Sequence, residues 1–248
     1  MSVSLASHGV REFDWNGRGE MFLVDKPIGW TSFDVVKKAR SLFGIQKLGH
    51  AGTLDPQATG LLILCSGPKT KEISHFTNFD KCYTGTMELG IVSASFDGET
   101  EVVRRADPGT ITEEFLRSTV AEFQGKLLQV PPMYSAVKYG GKPLYKYARA
   151  GKTVERMARE VTVAEFTVTR YVNPLVEFLV RCSKGTYARS LVNDVGMKLG
   201  CGAVLRVLRR TEIGPFSVED AMTIDDLTRL RNQLREPPKA HADSSTTF

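Results

Sequence analysis

Apolar positions follow two rhythms along the chain, and the alternation between them outlines the elements. Met21-Phe22-Leu23-Val24 is a continuous apolar run ending at Asp25-Lys26-Pro27 and predicts a buried strand. Val35, Ala39, Leu42 and Phe43 then recur at helical spacing, with Thr31 or Ser32 placed to cap the start and Gly44 to stop the helix. Lys47 to Gly60 shows neither rhythm and reads as a loop. Leu61 to Cys65 is a short buried strand, and Lys69 to Phe76 a short helix. Between Lys81 and Leu89 the period is two: Tyr83, Gly85, Met87 and Leu89 share one face, Cys82, Thr84, Thr86 and Glu88 the other. Thr112 to Gln124 reads as a helix, with Thr110 and Glu113 at capping-box spacing. Gly125 to Arg159 holds one short helical stretch, Leu144 to Ala150. Val161 to Val172 and Leu175 to Cys182 read as paired strands joined at Asn173-Pro174. Tyr187 to Leu199 is a helix with Leu191, Val195 and Leu199 on one face. Val204 to Ile213 is a strand, and Ile224 to Leu234 a last helix.

Strands and helices mix without strict βαβ alternation. This predicts an α+β (mixed α/β) domain with a central, largely antiparallel sheet flanked by helices and loops. The 248 residues suffice for a sizeable core without staples. Residues 1–19 are polar and irregular and read as a loose arm; the polar stretch 236–248 reads as a tail. Apolar runs stay far below the ~18 residues of a membrane span, and the N-terminus lacks the pattern of a signal peptide.

Charge adds location rather than magnitude. The net +5 conceals two basic segments, Lys126 to Glu160 and Arg181 to Arg210, each carrying +6, so the remainder sums to −7. Such a distribution fits a polyanion-binding face as well as it fits two solvated surfaces. Cys65, Cys82, Cys182 and Cys201 form no C-x-x-C, and His8, His50, His75 and His241 form no H-E-x-x-H. No metal site is expected, and a reducing cytoplasm fits best. Ser66-Gly67-Pro68-Lys69-Thr70 lacks the spacing of a phosphate-binding P-loop.

The stretch richest in chemistry is Gly49-His50-Ala51-Gly52-Thr53-Leu54-Asp55-Pro56-Gln57-Ala58-Thr59-Gly60. Glycines permit close approach and Pro56 stiffens the backbone after Asp55. The carboxylate can either meet a substrate there or bond its own backbone in an Asx-turn. Five segments in order carry a resemblance: Leu23 to Ser32; the Gly-Thr-Leu-Asp-Pro loop itself; Pro131 to Lys138 followed by Gly141-Lys142-Pro143-Leu144-Tyr145; Cys182-Ser183-Lys184-Gly185-Thr186-Tyr187-Ala188-Arg189-Ser190; and Leu208-Arg209-Arg210 followed by Gly214-Pro215-Phe216. Together they resemble the TruB-type tRNA pseudouridine synthases over roughly residues 20 to 218.

That resemblance implies the pseudouridine-synthase fold and a reaction in which one carboxylate starts the rearrangement of a uridine at position 55 of the tRNA T loop, without a cofactor. It implies Asp55 as the catalytic group and Arg189 as the arginine paired with it. Tyr83 would stack on the flipped base and handle the C5 proton. His50 would occupy the space the base leaves, and Tyr187 and Leu208 would line the uracil pocket. Residues 126–159 would form an insertion closing over the T arm, with Lys138, Lys142, Lys146 and Arg149 facing RNA. Residues 20–235 would then be one catalytic domain, with no C-terminal PUA-type domain, no guide RNA and no membrane contact, and a monomer is expected. The run Ser93-Ala94-Ser95-Phe96-Asp97 departs from the family's Thr-Asp-Thr-like pattern by one missing acidic residue. A non-catalytic tRNA-binding or folding protein on the same scaffold is the alternative; Asp55, Tyr83 and Arg189 together speak against it.

Overall fold

A computed structural model describes residues 13–235. Thirteen strands occur within this range: β1 Met21–Lys26, β2 Leu48–Ala51, β3 Thr59–Ser66, β4 Lys81–Leu89, β5 Ile91–Ser93, β6 Val102–Arg104, β7 Gly125–Gln129, β8 Lys138–Tyr139, β9 Lys142–Pro143, β10 Arg159–Val172, β11 Leu175–Cys182, β12 Ala203–Ile213 and β13 Phe216–Ser217. The helices are α1 Ser32–Phe43, α2 Ile73–Thr77, α3 Glu113–Ala121, α4 Leu144–Ala148, α5 Ala188–Lys198 and α6 Ile224–Gln233. The main sheet runs β1-β3-β12-β4-β11-β10-β7, with β2 added on β3 and β13 on β12. All its pairings are antiparallel except a two-residue parallel contact of β12 with β3. The expected mixed, largely antiparallel architecture is what forms.

The continuous apolar runs have a simple cause. Successive strand residues point to opposite faces, and β1 and β3 are covered on both. Phe22, Val24, Leu62 and Leu64 pack under α1 and α6 against Val35, Val36 and Leu227. Their neighbours Met21, Leu23, Leu61 and Ile63 pack on the other face against Phe76 and Ile213. The remaining sheet carries α3 and α5, whose Leu116, Leu191 and Val195 pack in one cluster with Met87, Phe166, Phe178 and Val180 of the strands. No helix among the described residues is long and apolar enough to cross a membrane.

α1 starts and ends on the residues read for those roles. Thr31 closes a capping box with Asp34, and Gly44 ends the helix at φ 64°. Four local expectations are corrected. Leu48–Ala51 is a strand, not loop, because β3 offers it a free edge. The helix cap near residue 113 is Thr112, whose side chain accepts from Phe115 N–H, while Thr110 ends a separate turn after Pro108. Gly125–Gln129, expected to be irregular, pairs with β10 as the last strand of the sheet. The arm read as loose is packed where it is described: Trp15 stacks between Phe13 and Phe43 and meets Phe22 edge-on. The polar tail lies outside the described residues.

Gly60 shows how tightly the seam between β3 and β12 is made. Its φ is 105°, and a Cβ there would meet the Arg210 carbonyl oxygen at 2.2 Å and the Arg210 nitrogen at 2.7 Å. Only glycine fits the torsion and the approach together. Gly60→Ala is expected to lower stability by at least about 3 kcal/mol, measurable as a denaturant midpoint far below that of the parent protein.

Candidate functional site

Asp55 sits on the turn between β2 and β3. The turn is held from behind by α1: Ser32 Oγ accepts the Leu54 N–H at 2.9 Å and donates to the Leu54 carbonyl at 3.3 Å. Gly29 N–H donates to the Pro56 carbonyl at 2.9 Å. The Lys26 side chain, fully buried, donates to the carbonyls of Pro27, Trp30 and Pro56. Burial lowers this ammonium to about 8, with Asp55 pulling it back up. The opening Asp-Lys-Pro segment thus anchors the turn that carries the carboxylate.

Arg189, at the start of α5, reaches this turn across the sheet. Its Nη1 lies 2.9 Å from Asp55 Oδ2 and 3.2 Å from Asp97 Oδ2, and its Nη2 donates to the Tyr134 carbonyl at 2.7 Å. The guanidinium is 3% exposed while the Asp55 carboxylate is 43% exposed, so the arginine is fixed and the carboxylate faces the opening. Burial pushes the Asp55 carboxyl up from its ordinary value; Arg189 opposes this, and the nearby Asp97 and Glu99 add to it. Arg189 therefore favours the ionised form of a group whose surroundings disfavour it.

Asp55 opens into a cleft of about 350 Å³. Tyr83, Tyr187, Arg189 and Leu208 line it together with Asp55, so the structure brings these sequence candidates to one place. Tyr83 comes from β4 and stands opposite Arg210 of β12. The Arg210 side chain is buried, donating from Nε to the Leu61 carbonyl at 2.7 Å and from Nη2 to the Gly52 carbonyl at 3.1 Å. Burial pushes the Tyr83 phenol up, and its contact with Arg210 counters this. Tyr187 is seated by a reciprocal pair with buried Gln129: its N–H donates to Oε1 at 2.8 Å and its carbonyl accepts from Nε2 at 3.2 Å. The Arg189 guanidinium lies 5.5 Å from the centre of its ring.

The other candidates lie further out. His50 is half-buried on β2, outside the cleft lining, and its Nδ1 has no hydrogen-bond partner among the described residues. Burial and the Arg210 charge lower its pKa, favouring the neutral imidazole. Lys138, Lys142 and Lys146 are exposed, the first two on the β8–β9 hairpin and the third on α4. Arg149 is engaged with Glu99 at 2.7 Å, which ties the 126–159 segment to the loop bearing Asp97. Among the described residues no group of three or more His, Cys, Asp or Glu side chains could hold a metal ion.

Two groups central to this geometry were not singled out from the sequence. Asp97 belongs to the run that departs from the family pattern. Both serine hydroxyls there, Ser93 and Ser95, donate to the Asp97 carbonyl, at 2.7 and 3.3 Å. Phe96 sits at φ 67°, a left-handed torsion rare for a bulky residue, with its carbonyl accepting the Leu205 N–H at 3.0 Å. The run is a strained, well-braced turn that aims Asp97 at Arg189. Arg210 lies in the matched Leu208-Arg209-Arg210 segment, whose only signal was the resemblance itself.

Comparison with known proteins agrees with this geometry. The model of the TruB family pseudouridylate synthase N-terminal domain matches residues 40–188, and that of the tRNA pseudouridylate synthase B C-terminal domain matches residues 189–240. The tRNA pseudouridine synthase B of Burkholderia pseudomallei (strain 668) is 46% identical over 224 residues, covering 90% of this chain and 74% of the relative. That of Chloroherpeton thalassium is 47% identical over 214 residues, covering 84% and 89%. Among solved structures, the Cbf5 chain of an archaeal box H/ACA Nop10–Cbf5 complex superposes with a TM-score of 0.66 at 27% identity, and that of a Cbf5–Nop10–Gar1 complex with 0.67 at 30%. The chain covers 87% and 84% of itself in these superpositions but only about half of each Cbf5 chain, 55% and 53%. With identity this high over most of its length, and with both family models meeting at the arginine that pairs with Asp55, the chain belongs to the TruB family of tRNA pseudouridylate synthases.

Proposed function

We propose that the protein converts the uridine at position 55 of the tRNA T loop to pseudouridine, acting as a monomer in the cytoplasm without a guide RNA. The observation that carries this reading is the Asp55–Arg189 pair, 2.9 Å apart, at the mouth of a cleft lined by Tyr83 and Tyr187. Four free, buried cysteines suit a reducing compartment.

The isomerisation breaks the N1–C1′ bond, turns the uracil and joins C5 to C1′. C5 gives up a proton and N1 gains one, so the formula is unchanged and no redox partner takes part. The uridine must first leave its stack, at a cost of a few kcal/mol. The apolar wall at Leu208 and the rings of Tyr83 and Tyr187 recover part of this by packing on the base. Asp55, whose ionised form Arg189 favours, is the group positioned to act as nucleophile or base toward the flipped nucleoside. Tyr83, beside Asp55 and backed by a buried cation that favours its phenolate, is placed to relay the C5 proton, giving up its own hydroxyl proton as it takes the new one.

A T-arm hairpin carrying tritium at uracil C5 tests this with the protein alone. Release of tritium to water, with one pseudouridine per hairpin, is the expected result. Binding without release would favour the non-catalytic alternative.

The basic segment serves the same reading. Lys138, Lys142 and Lys146 have no carboxylate partner among the described residues, and Lys142 lies 5.1 Å from the centre of the Tyr147 ring. Replacing Lys142 and Lys146 by Gln is expected to weaken hairpin binding and flatten its salt dependence by up to about 0.7–0.9 per lost phosphate contact. A slope identical to that of the parent protein would remove this segment from the interface.

A further inference from the structure

The outer face of α1 carries features that the catalytic cleft does not use. Ile28 is 64% exposed and Phe33 56% exposed, two large apolar side chains open to solvent at the N-terminal end of α1. The Lys37 ammonium lies 4.8 Å from the centre of the Phe33 ring. Beside them runs a shallow groove lined by Gly29, Trp30, Asp34, Lys37 and Lys38. Asp34, the one carboxylate in the groove, accepts from Thr31 N–H at 3.0 Å and from its hydroxyl at 2.6 Å as part of the helix cap. Neither Lys37 nor Lys38 has an ion-pair partner among the described residues. The face is therefore cationic and aromatic, the combination that suits phosphates and unpaired or edge-exposed bases.

Its position gives it an occupant. Gly29, in the groove lining, donates directly to the Pro56 carbonyl, so the face adjoins the catalytic turn. The insertion springs from β7 and β10 at one edge of the sheet, whereas α1 covers β1 and β3 at the other. An RNA gripped by the insertion with one nucleotide at Asp55 has its remaining mass free to cross this second edge. A two-fold contact between copies would set Lys37 and Lys38 against their own images, which disfavours a second copy as the occupant.

We propose that the Ile28–Phe33–Lys37–Lys38 face is a second RNA-binding surface, contacting tRNA nucleotides outside the T arm. This rests on the reading of the protein as a T-loop uridine isomerase. It assigns the insertion to the T arm and α1 to the rest of the folded tRNA, so that affinity for whole tRNA exceeds that for the isolated arm.

The test compares full-length tRNA with a T-arm hairpin on the parent protein and on a Phe33→Ala, Lys37→Gln, Lys38→Gln variant. The variant is expected to lose about tenfold in affinity for full-length tRNA and to show a shallower salt slope by about 1.5. Its hairpin affinity and hairpin turnover should stay within about twofold of the parent, which also shows that it folds. Equal losses on both RNAs would overturn the proposal by placing the face on the T arm. Unchanged affinity for both would overturn it by removing RNA from the face, as would a parent dimer that the variant dissociates. Failure of the parent itself to convert the hairpin would instead overturn the proposed function.

Discussion

The Asp55→Asn variant is expected to bind a T-arm hairpin within about twofold of the parent protein and to lose at least about 10⁴-fold in turnover, equivalent to about 5.4 kcal/mol of transition-state stabilisation. The separation of binding from turnover follows from the geometry. Asn has the shape of Asp, and the turn around position 55 is held through its backbone by Ser32 Oγ, the Gly29 N–H and Lys26 Nζ, none of which involves the carboxylate. Arg189 keeps Asp97 and the Tyr134 carbonyl as partners, so it is not left as a bare buried charge. What disappears is the one anionic group that faces the cleft and can attack or abstract. Single-turnover tritium release reads the loss, and filter binding reads the retention. An Asn variant that turns over at the parental rate would sink the assignment.

Arg189→Lys should fold and remain about 10²–10³-fold slower. Arg189 serves three acceptors from two nitrogens, Asp55 and Asp97 at Nη1 and the Tyr134 carbonyl at Nη2. A lysine keeps the charge but has one nitrogen on a flexible stem, and cannot span these positions together. The pH profile distinguishes this from a merely structural fault. Asp55 must be ionised to act, and its pKa is raised by burial, so activity is lost as pH falls through a value above the usual ~3.9 for aspartate. Arg189 lowers that pKa, so Arg189→Lys should move the acid limb of kcat/KM to higher pH. Asp97 raises it, so Asp97→Asn should move the limb to lower pH. Two substitutions that move the limb the same way would contradict the arrangement.

Much of the fold was legible because strong periodicity and burial coincide. The alternation from Lys81 to Leu89 and the helical spacing of Leu191, Val195 and Leu199 survive unchanged in β4 and α5. Where an element owes its form to a neighbour, the local pattern is silent. Leu48-Gly49-His50-Ala51 has little strand character of its own and becomes β2 because β3 presents an edge. Gly125–Gln129 is largely exposed, with Leu128 77% open to solvent, and becomes a strand only through β10. The site divides in the same way. Asp55, Tyr83, Tyr187, Arg189 and Leu208 are read from motifs and meet in one cleft. Asp97 is far from Asp55 in sequence and lies in the run that departs from the family pattern, so only the fold shows that both carboxylates meet one arginine. Arg210 reads as surface charge until its hydrogen bonds to Gly52 and Leu61 place it in the interior.

The place of β12 has a consequence for how the enzyme comes into being. β12 is made late in the chain yet lies between β3 and β4, which are made early. Until Ala203–Ile213 has left the ribosome, those two strands have no partner between them, and neither Arg210 nor Leu208 is present to close the cleft. A nascent chain that has already produced Asp55 and Tyr83 is thus an unzipped sheet with two bare edges, slow to close because its contacts are distant in sequence and open to misassociation while it waits. Activity should arrive abruptly with the emergence of β12, and shielding by a chaperone should matter most in the interval before it.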